Sequence, residues 1–219
     1  FFPARQYFML FMDRSQAGKA LAGALDGFIG QDSVVYALPR GGVVLGYEVA
    51  RHLDAPMDLL ITRKIGYPGS RECAVCAISE DGEMICDSLG ASRLDPAWLG
   101  VRAEEEMEEA NRRRRAYLEG RPPLNAGGKV AIVVDDGMAT GLTVLLAIMV
   151  LKKQHPKSIV VAVPVSSMEA AEKIRREADE LVALDVPPDF CSVSEHYEEF
   201  AQLEDEDVIR LLRAAEKRE

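Results

Sequence analysis

The sequence predicts an α/β domain built on a doubly wound, mainly parallel sheet. Three observations carry this. Short apolar runs alternate along the chain with stretches of helical periodicity, the order expected of repeated βα units. One run, Lys-Val-Ala-Ile-Val-Val at 129–134, is apolar without alternation, as in a strand covered on both faces. The chain of 219 residues is long enough for one such domain and an appended cap.

The elements follow in order. Residues 16–29 place Ala17, Leu21, Ala24, Leu25 and Phe28 at helical spacing, with Asp13 or Ser15 available as a cap. A strand at 34–38 is closed by Pro39, and Gly41-Gly42 leads into a helix at 43–53. A second strand spans 57–61. The polar stretch 63–72, with its Gly and Pro, has the composition of an exposed, mobile loop. Runs at 73–78 and 83–86 flank Glu80-Asp81-Gly82, where Asp-Gly marks a hairpin turn, so 63–90 reads as a flexible loop and small β flap.

Residues 95–119 turn strongly helical behind the cap Asp95 and the first-turn Pro96, giving a helical insertion at about 95–120. Its glutamates at 104, 105, 106, 108 and 109 and Arg112–Arg115 are spaced to pair along a solvated face. Arg121-Pro122-Pro123 ends it. Strands at 129–134, 158–163 and 181–184 then alternate with helices at 141–154 and 168–177, and 205–216 closes as an amphipathic helix. The apolar start, residues 1–12, is interrupted by Arg5 and reads either as a non-native extension or as a segment packed on the core; the domain proper runs from 13 to 219.

Composition narrows the function. A net charge of −10 with no basic face argues against a nucleic-acid surface, because the only cationic run, Arg112–Arg115, lies among glutamates. No apolar stretch approaches the roughly 18 residues of a membrane span. The cysteines at 73, 76, 86 and 191 are too scattered for a disulfide framework, so reduced thiols and a cytoplasmic setting are expected. Cys73-x-x-Cys76 has redox or zinc spacing but lacks a second pair.

The chemistry concentrates in Val133-Val134-Asp135-Asp136-Gly137-Met138-Ala139-Thr140-Gly141-Leu142-Thr143, which joins a buried strand to a helix. Asp135 and Asp136 are placed to accept hydrogen bonds from vicinal sugar hydroxyls. Gly137 and Gly141 permit close backbone approach, and the amides of 138–143 with the Thr140 and Thr143 hydroxyls are suited to a phosphate at the positive end of a helix dipole. An Asp-rich βα turn of this kind also serves as a helix cap or a generic Mg²⁺ or nucleotide site.

At its full length the segment resembles the 5-phosphoribosyl-1-pyrophosphate (PRPP) motif of the type I phosphoribosyltransferases, and the order of elements is similar over roughly residues 11–212. The resemblance implies that fold, with a flexible flap and a small C-terminal hood at about 185–207. It implies a pyrophosphate loop at Leu38-Pro39-Arg40-Gly41-Gly42, with a cis peptide entering Arg40, and a mobile loop bringing Arg63 and Lys64 to pyrophosphate or substrate. It further implies Glu72 as a loop acid/base group, Mg²⁺ held by Asp135 and Asp136 directly or through PRPP, and a homodimer. Two departures set the chain apart from purine-salvage relatives: Ala139 replaces an acidic residue, and Pro164-Val165-Ser166-Ser167 lacks their Lys. Phe190, Tyr197 and Phe200 are read either as hood residues or as core aromatics.

The activity so implied is transfer of the 5-phosphoribosyl group from PRPP to a nitrogenous base or other nucleophile, with release of pyrophosphate. Catalysis would rest on Arg40, Lys64, Asp135 and Asp136. The alternative is a regulatory protein that binds PRPP without turnover; Arg63 and Lys64, which a simple binder would not need, favour the enzyme. A kinase or other Mg²⁺-nucleotide enzyme is disfavoured because no Gly-x-x-x-x-Gly-Lys-[Ser/Thr] sequence occurs.

Overall fold

Five parallel strands form the central sheet in the order β2 (Met57–Leu59), β1 (Ser33–Ala37), β6 (Val130–Val134), β7 (Ser158–Val165) and β8 (Glu180–Asp185). The computed structural model describes residues 9–68 and 70–216, the side chains of 70–73, 88 and 89 not included. β6 lies in the middle, with Val35 opposite Ile132 on one side and Val160 opposite it on the other.

The unbroken apolar run of β6 follows from its position. Val130, Ile132 and Val134 pack against α1 (Arg14–Gly23) and α2 (Gly42–Leu53), while Ala131 and Val133 pack against α5 (Leu142–Lys152) and α6 (Met168–Glu177). Both faces are therefore buried, and neither register of a period-two pattern is free to be polar. Beyond β2, Leu59 and Ile61 join Ala110, Tyr117 and Leu118 of α4 (Pro96–Leu118) and Val208 and Leu212 of α7 (Asp205–Glu216).

A second sheet, β3 (Thr62–Tyr67), β4 (Ser70–Ser79) and β5 (Met84–Cys86), is antiparallel. The short helix α3 (Ser88–Ala91) follows it. The first sequence expectation to fail lies here: 63–72, read as a loop, is largely strand. Thr62, Arg63, Lys64 and Ile65 pair with Ser79, Ile78, Ala77 and Cys76, and the register shifts at Ile65, Gly66 and Tyr67. Those bulges absorb the glycine that had suggested a loop.

Three further expectations change. The helix read over 16–29 stops at Gly23 and gives way to a short 3-10 turn at Asp26–Phe28. The cysteines are not all reduced: Cys76 and Cys86, directly opposite across β4 and β5, form a disulfide, and exposed Cys191 is a free thiol. The charged face of α4 is not uniformly solvated, because Arg114 turns inward to Glu80 at 2.7 Å and Asp58 at 3.5 Å. Among the described residues no helix is long and apolar enough to cross a membrane.

Of residues 9–12 only Phe11 packs its side chain on the fold, while those of Met9, Leu10 and Met12 are exposed. Phe11 is buried beside Tyr197, its N–H donates to the His196 carbonyl at 2.9 Å, and the Glu198 N–H donates back to the Phe11 carbonyl at 2.8 Å.

Candidate active site

At the carboxyl ends of β1 and β6 two turns press together. β1 runs into Leu38-Pro39-Arg40-Gly41, with a cis peptide between Pro39 and Arg40, and the Leu38 N–H donates to the Val134 carbonyl at 2.9 Å. The approach leaves no room for side chains. A Cβ on Gly41 would lie 1.8 Å from Asp136 Oδ2, and one on Gly42 would lie 2.6 Å from the Val134 carbonyl oxygen and 2.9 Å from Asp135 Cα. Glycine at both positions is thus a consequence of contact with the acidic pair.

The two carboxylates differ in surroundings. Asp135 is held well above the usual carboxylate range, first by desolvation and then by the charge of Asp136; the Asp136 N–H bonded to its Oδ1 at 2.8 Å and the positive charge of Lys64 oppose that rise. Asp136 instead meets a guanidinium: Arg14 Nε donates to its Oδ2 at 2.8 Å. Its backbone carbonyl accepts from the Tyr197 hydroxyl at 2.7 Å, and burial raises the pKa of that phenol.

The turn then climbs to α5 through Gly141, whose φ of 75° suits glycine, and the first-turn amides of α5 lack intrahelical partners. Not every backbone group of the turn is available for a ligand. The Met138 N–H donates to the Val165 carbonyl at 2.9 Å, and its side chain is in the core with that of Leu142. Thr140 and Ala139 are exposed.

A cavity of about 810 Å³ opens over these turns. It is lined by Arg40 and Gly41, by Arg63 and Lys64, by Asp135 through Gly141, and by Thr143. Gly42 and Leu142 are not among the lining residues, and the side chain of Glu72 lies outside the described residues. Six cations (Arg14, Arg40, Arg63, Lys64, Arg102, Arg113) face three carboxylates (Glu106, Asp135, Asp136), so the cavity carries an excess of positive groups in a chain of net charge −10. Local charge and global charge have opposite signs here, which suits an anionic ligand.

Several lining residues were missed in the sequence. Trp98, Arg102, Glu106 and Arg113 come from α4, and the first three recur every fourth residue, a spacing that puts them on one face of the helix. Glu106 accepts from both Arg63 and Arg102 at 2.8 Å, tying β3 to α4. Arg40 pairs with Glu204 at 3.2 Å and Arg113 with Glu109 at 2.7 Å. Of the C-terminal aromatics, Tyr197 is buried, while Phe200 lines the cavity and carries the Arg14 guanidinium 3.8 Å above its ring. No local pattern announces Arg14, whose partners are remote in sequence.

Among the described residues no group of three or more His, Cys, Asp or Glu side chains is arranged to hold a metal ion. Asp135 and Asp136 form a pair, a donor set that fits Mg²⁺ when the ligand and water supply the remaining oxygens.

A cavity at the carboxyl ends of the strands of a doubly wound sheet is where open α/β folds place their ligands. Residues 15–198 match the family model of the phosphoribosyl transferase domain, and the chain belongs to that family. Two proteins from Mycobacterium tuberculosis strains CDC 1551 and H37Rv, named "Putative phosphoribosyl transferase MT0597" and "Putative phosphoribosyl transferase Rv0571c", are each 37% identical over 210 residues. That alignment covers 95% of this chain but 47% of each relative, so the chain spans about half their length. A crystal structure of TT1426 from Thermus thermophilus is similar at 40% identity and a TM-score of 0.77, covering 93% of this chain and 98% of that one.

Proposed function

We propose that this chain transfers the 5-phosphoribosyl group from PRPP to a nitrogenous base or other nucleophile and releases pyrophosphate. The observation that carries this reading is the convergence of the Asp135–Thr143 turn, the Arg40-Gly41 turn and the flap residues Arg63 and Lys64 on one cationic cavity.

In this reading the amides and hydroxyls at 139–141 and 143 hold the 5-phosphate at the N-terminus of α5. Asp135 and Asp136 accept from the ribose hydroxyls. Arg40, Arg63 and Lys64 stand around the pyrophosphate, whose oxygen takes the electron pair of the breaking C1–O bond as the acceptor's lone pair forms the new bond to C1, and a proton carried by the acceptor nitrogen passes to solvent. Charge grows on the leaving group as positive charge develops at C1, so cations that hold the pyrophosphate and carboxylates that hold the ribose stabilise the transition state more than the ground state. Asp135 and Asp136 are the residues that would hold Mg²⁺, directly or through PRPP, and the ion would supply additional charge neutralisation to the leaving group. Trp98, Tyr67, Val193 and Phe200 provide apolar surface for the acceptor. Assembly as a homodimer belongs to the same proposal and is read by light scattering.

The test is pyrophosphate release from PRPP and Mg²⁺ across a panel of purine, pyrimidine, pyridine and amine acceptors. Release that requires both PRPP and one acceptor is expected and names the substrate. PRPP bound without release in the presence of any acceptor would contradict transfer and favour a regulatory protein.

A further inference from the structure

We propose that Arg14 is a positioning residue of this site, fixing the Asp136 carboxylate and the C-terminal hood as one unit. The inference rests on the reading of Asp136 as a PRPP ligand. Arg14 reaches three groups at once. Nε donates to Asp136 Oδ2 at 2.8 Å, Nη1 donates to the Ala201 carbonyl at 2.7 Å, and the guanidinium plane lies over Phe200 with its central carbon 3.8 Å from the ring centroid. Its side chain is 11% exposed and that of Asp136 16%, so the pair is largely shielded from water.

The local chain is built to hold Arg14 there. It is the first residue of α1, and that end is capped reciprocally: Asp13 Oδ1 accepts from the Gln16 N–H at 2.7 Å, and Gln16 Oε1 accepts from the Met12 N–H at 2.6 Å. The preceding backbone is stitched to the hood, where the N–H groups of Glu198 and Glu199 each donate at 2.8 Å, to the carbonyls of Phe11 and Met12. Tyr197 joins the hood to Asp136 a second time through the backbone carbonyl. The carboxylate that meets the sugar and the aromatic wall that meets the acceptor are thereby fixed to one guanidinium.

Geometry separates the two tasks. The forked, planar guanidinium serves a carboxylate, a carbonyl and a ring face together, whereas an ammonium at the same place can serve the carboxylate but not all three. Arg14→Lys should therefore keep Asp136 in place and loosen the hood, while Arg14→Gln should release Asp136 and loosen the hood as well.

The experiment titrates Mg²⁺-PRPP into the native chain, Arg14→Lys and Arg14→Gln by calorimetry, and follows hydrogen exchange at 197–203 in each, with thermal unfolding to establish that each variant is folded. The expected result is PRPP affinity within about threefold of native for Arg14→Lys and a loss of about tenfold to a hundredfold for Arg14→Gln. Both variants should exchange faster at 197–203. Native-like affinity and exchange in Arg14→Gln would overturn the inference, and so would equal losses of affinity in the two variants, the mark of a merely structural side chain. Failure of the native chain itself to bind PRPP would instead bring down the proposed function, and this inference with it.

Discussion

Replacing Gly41 by alanine isolates the contact on which the site depends. Gly41 has φ −57° and ψ −46°, a conformation any residue adopts, so the substitution carries no backbone penalty. It even removes freedom from the unfolded chain, worth about 0.4–1 kcal/mol in favour of folding. The cost arises at the new methyl, 1.8 Å from Asp136 Oδ2 and 2.4 Å from its Cγ. Ordinary contact needs about 3.5 Å or more, so the carboxylate must retreat by roughly 1.5–2 Å. That movement breaks the 2.8 Å bond from Arg14 Nε, a charge-assisted interaction worth about 1.5–3 kcal/mol. The balance is a destabilisation of about 1–2 kcal/mol, a fall in Tm of roughly 2–8 °C for a chain of this size. Because the displaced group is a proposed ribose ligand, PRPP affinity should fall at least about tenfold. Urea unfolding and calorimetry measure the two effects, and native affinity with native stability in Gly41→Ala would refute the reasoning.

Two other perturbations act on the flap. Glu80 sits between β4 and α4, with Oε1 2.7 Å from Arg114 and Oε2 buried without a partner; burial pushes its pKa up to about 7. A carboxyl whose folded pKa is raised binds its proton more tightly in the native state, so stability falls as pH rises from about 5 to 8. Relative to native, Glu80→Gln should flatten that decline by about 2 kcal/mol, after discounting for partial exposure, as read by urea unfolding at several pH values. The Cys76–Cys86 bridge closes a loop with a sequence separation of 10, so its reduction should cost about 2–3 kcal/mol. Thiol titration of the unfolded chain before and after reduction should rise by two, one for each bridged cysteine, and an unchanged count would contradict the bridge.

The fold was legible where local pattern and tertiary position agree. The run at 130–134 is apolar throughout because it occupies the middle of a sheet covered on both sides, and the Asp-Asp-Gly turn that lines the cavity is visible because its residues are adjacent in sequence. Arg63 and Lys64, which line the cavity, were read as part of a loop because Gly66 and the following Pro68 mask a strand that bulges at the glycine. The disulfide left a signal that composition hides: Cys76 and Cys86 are equidistant from Asp81 in the Asp-Gly turn, so a hairpin centred there places them opposite one another. Arg14 is different in kind. Asp136 lies 122 positions away and Ala201 lies 187 away, so its role exists only once the sheet has closed and the C-terminal segment has folded back. The α4 wall was half legible, since Trp98, Arg102 and Glu106 share a helical face whose orientation tertiary packing alone decides.

Whether the Asp135–Thr143 turn holds PRPP is read by calorimetric titration of Mg²⁺-PRPP into the native chain and into an Asp135→Asn/Asp136→Asn variant shown to be folded. Saturable binding by the native chain and its loss in the double variant are expected of that assignment. Native-like binding by the variant, or no binding by the native chain, would contradict it.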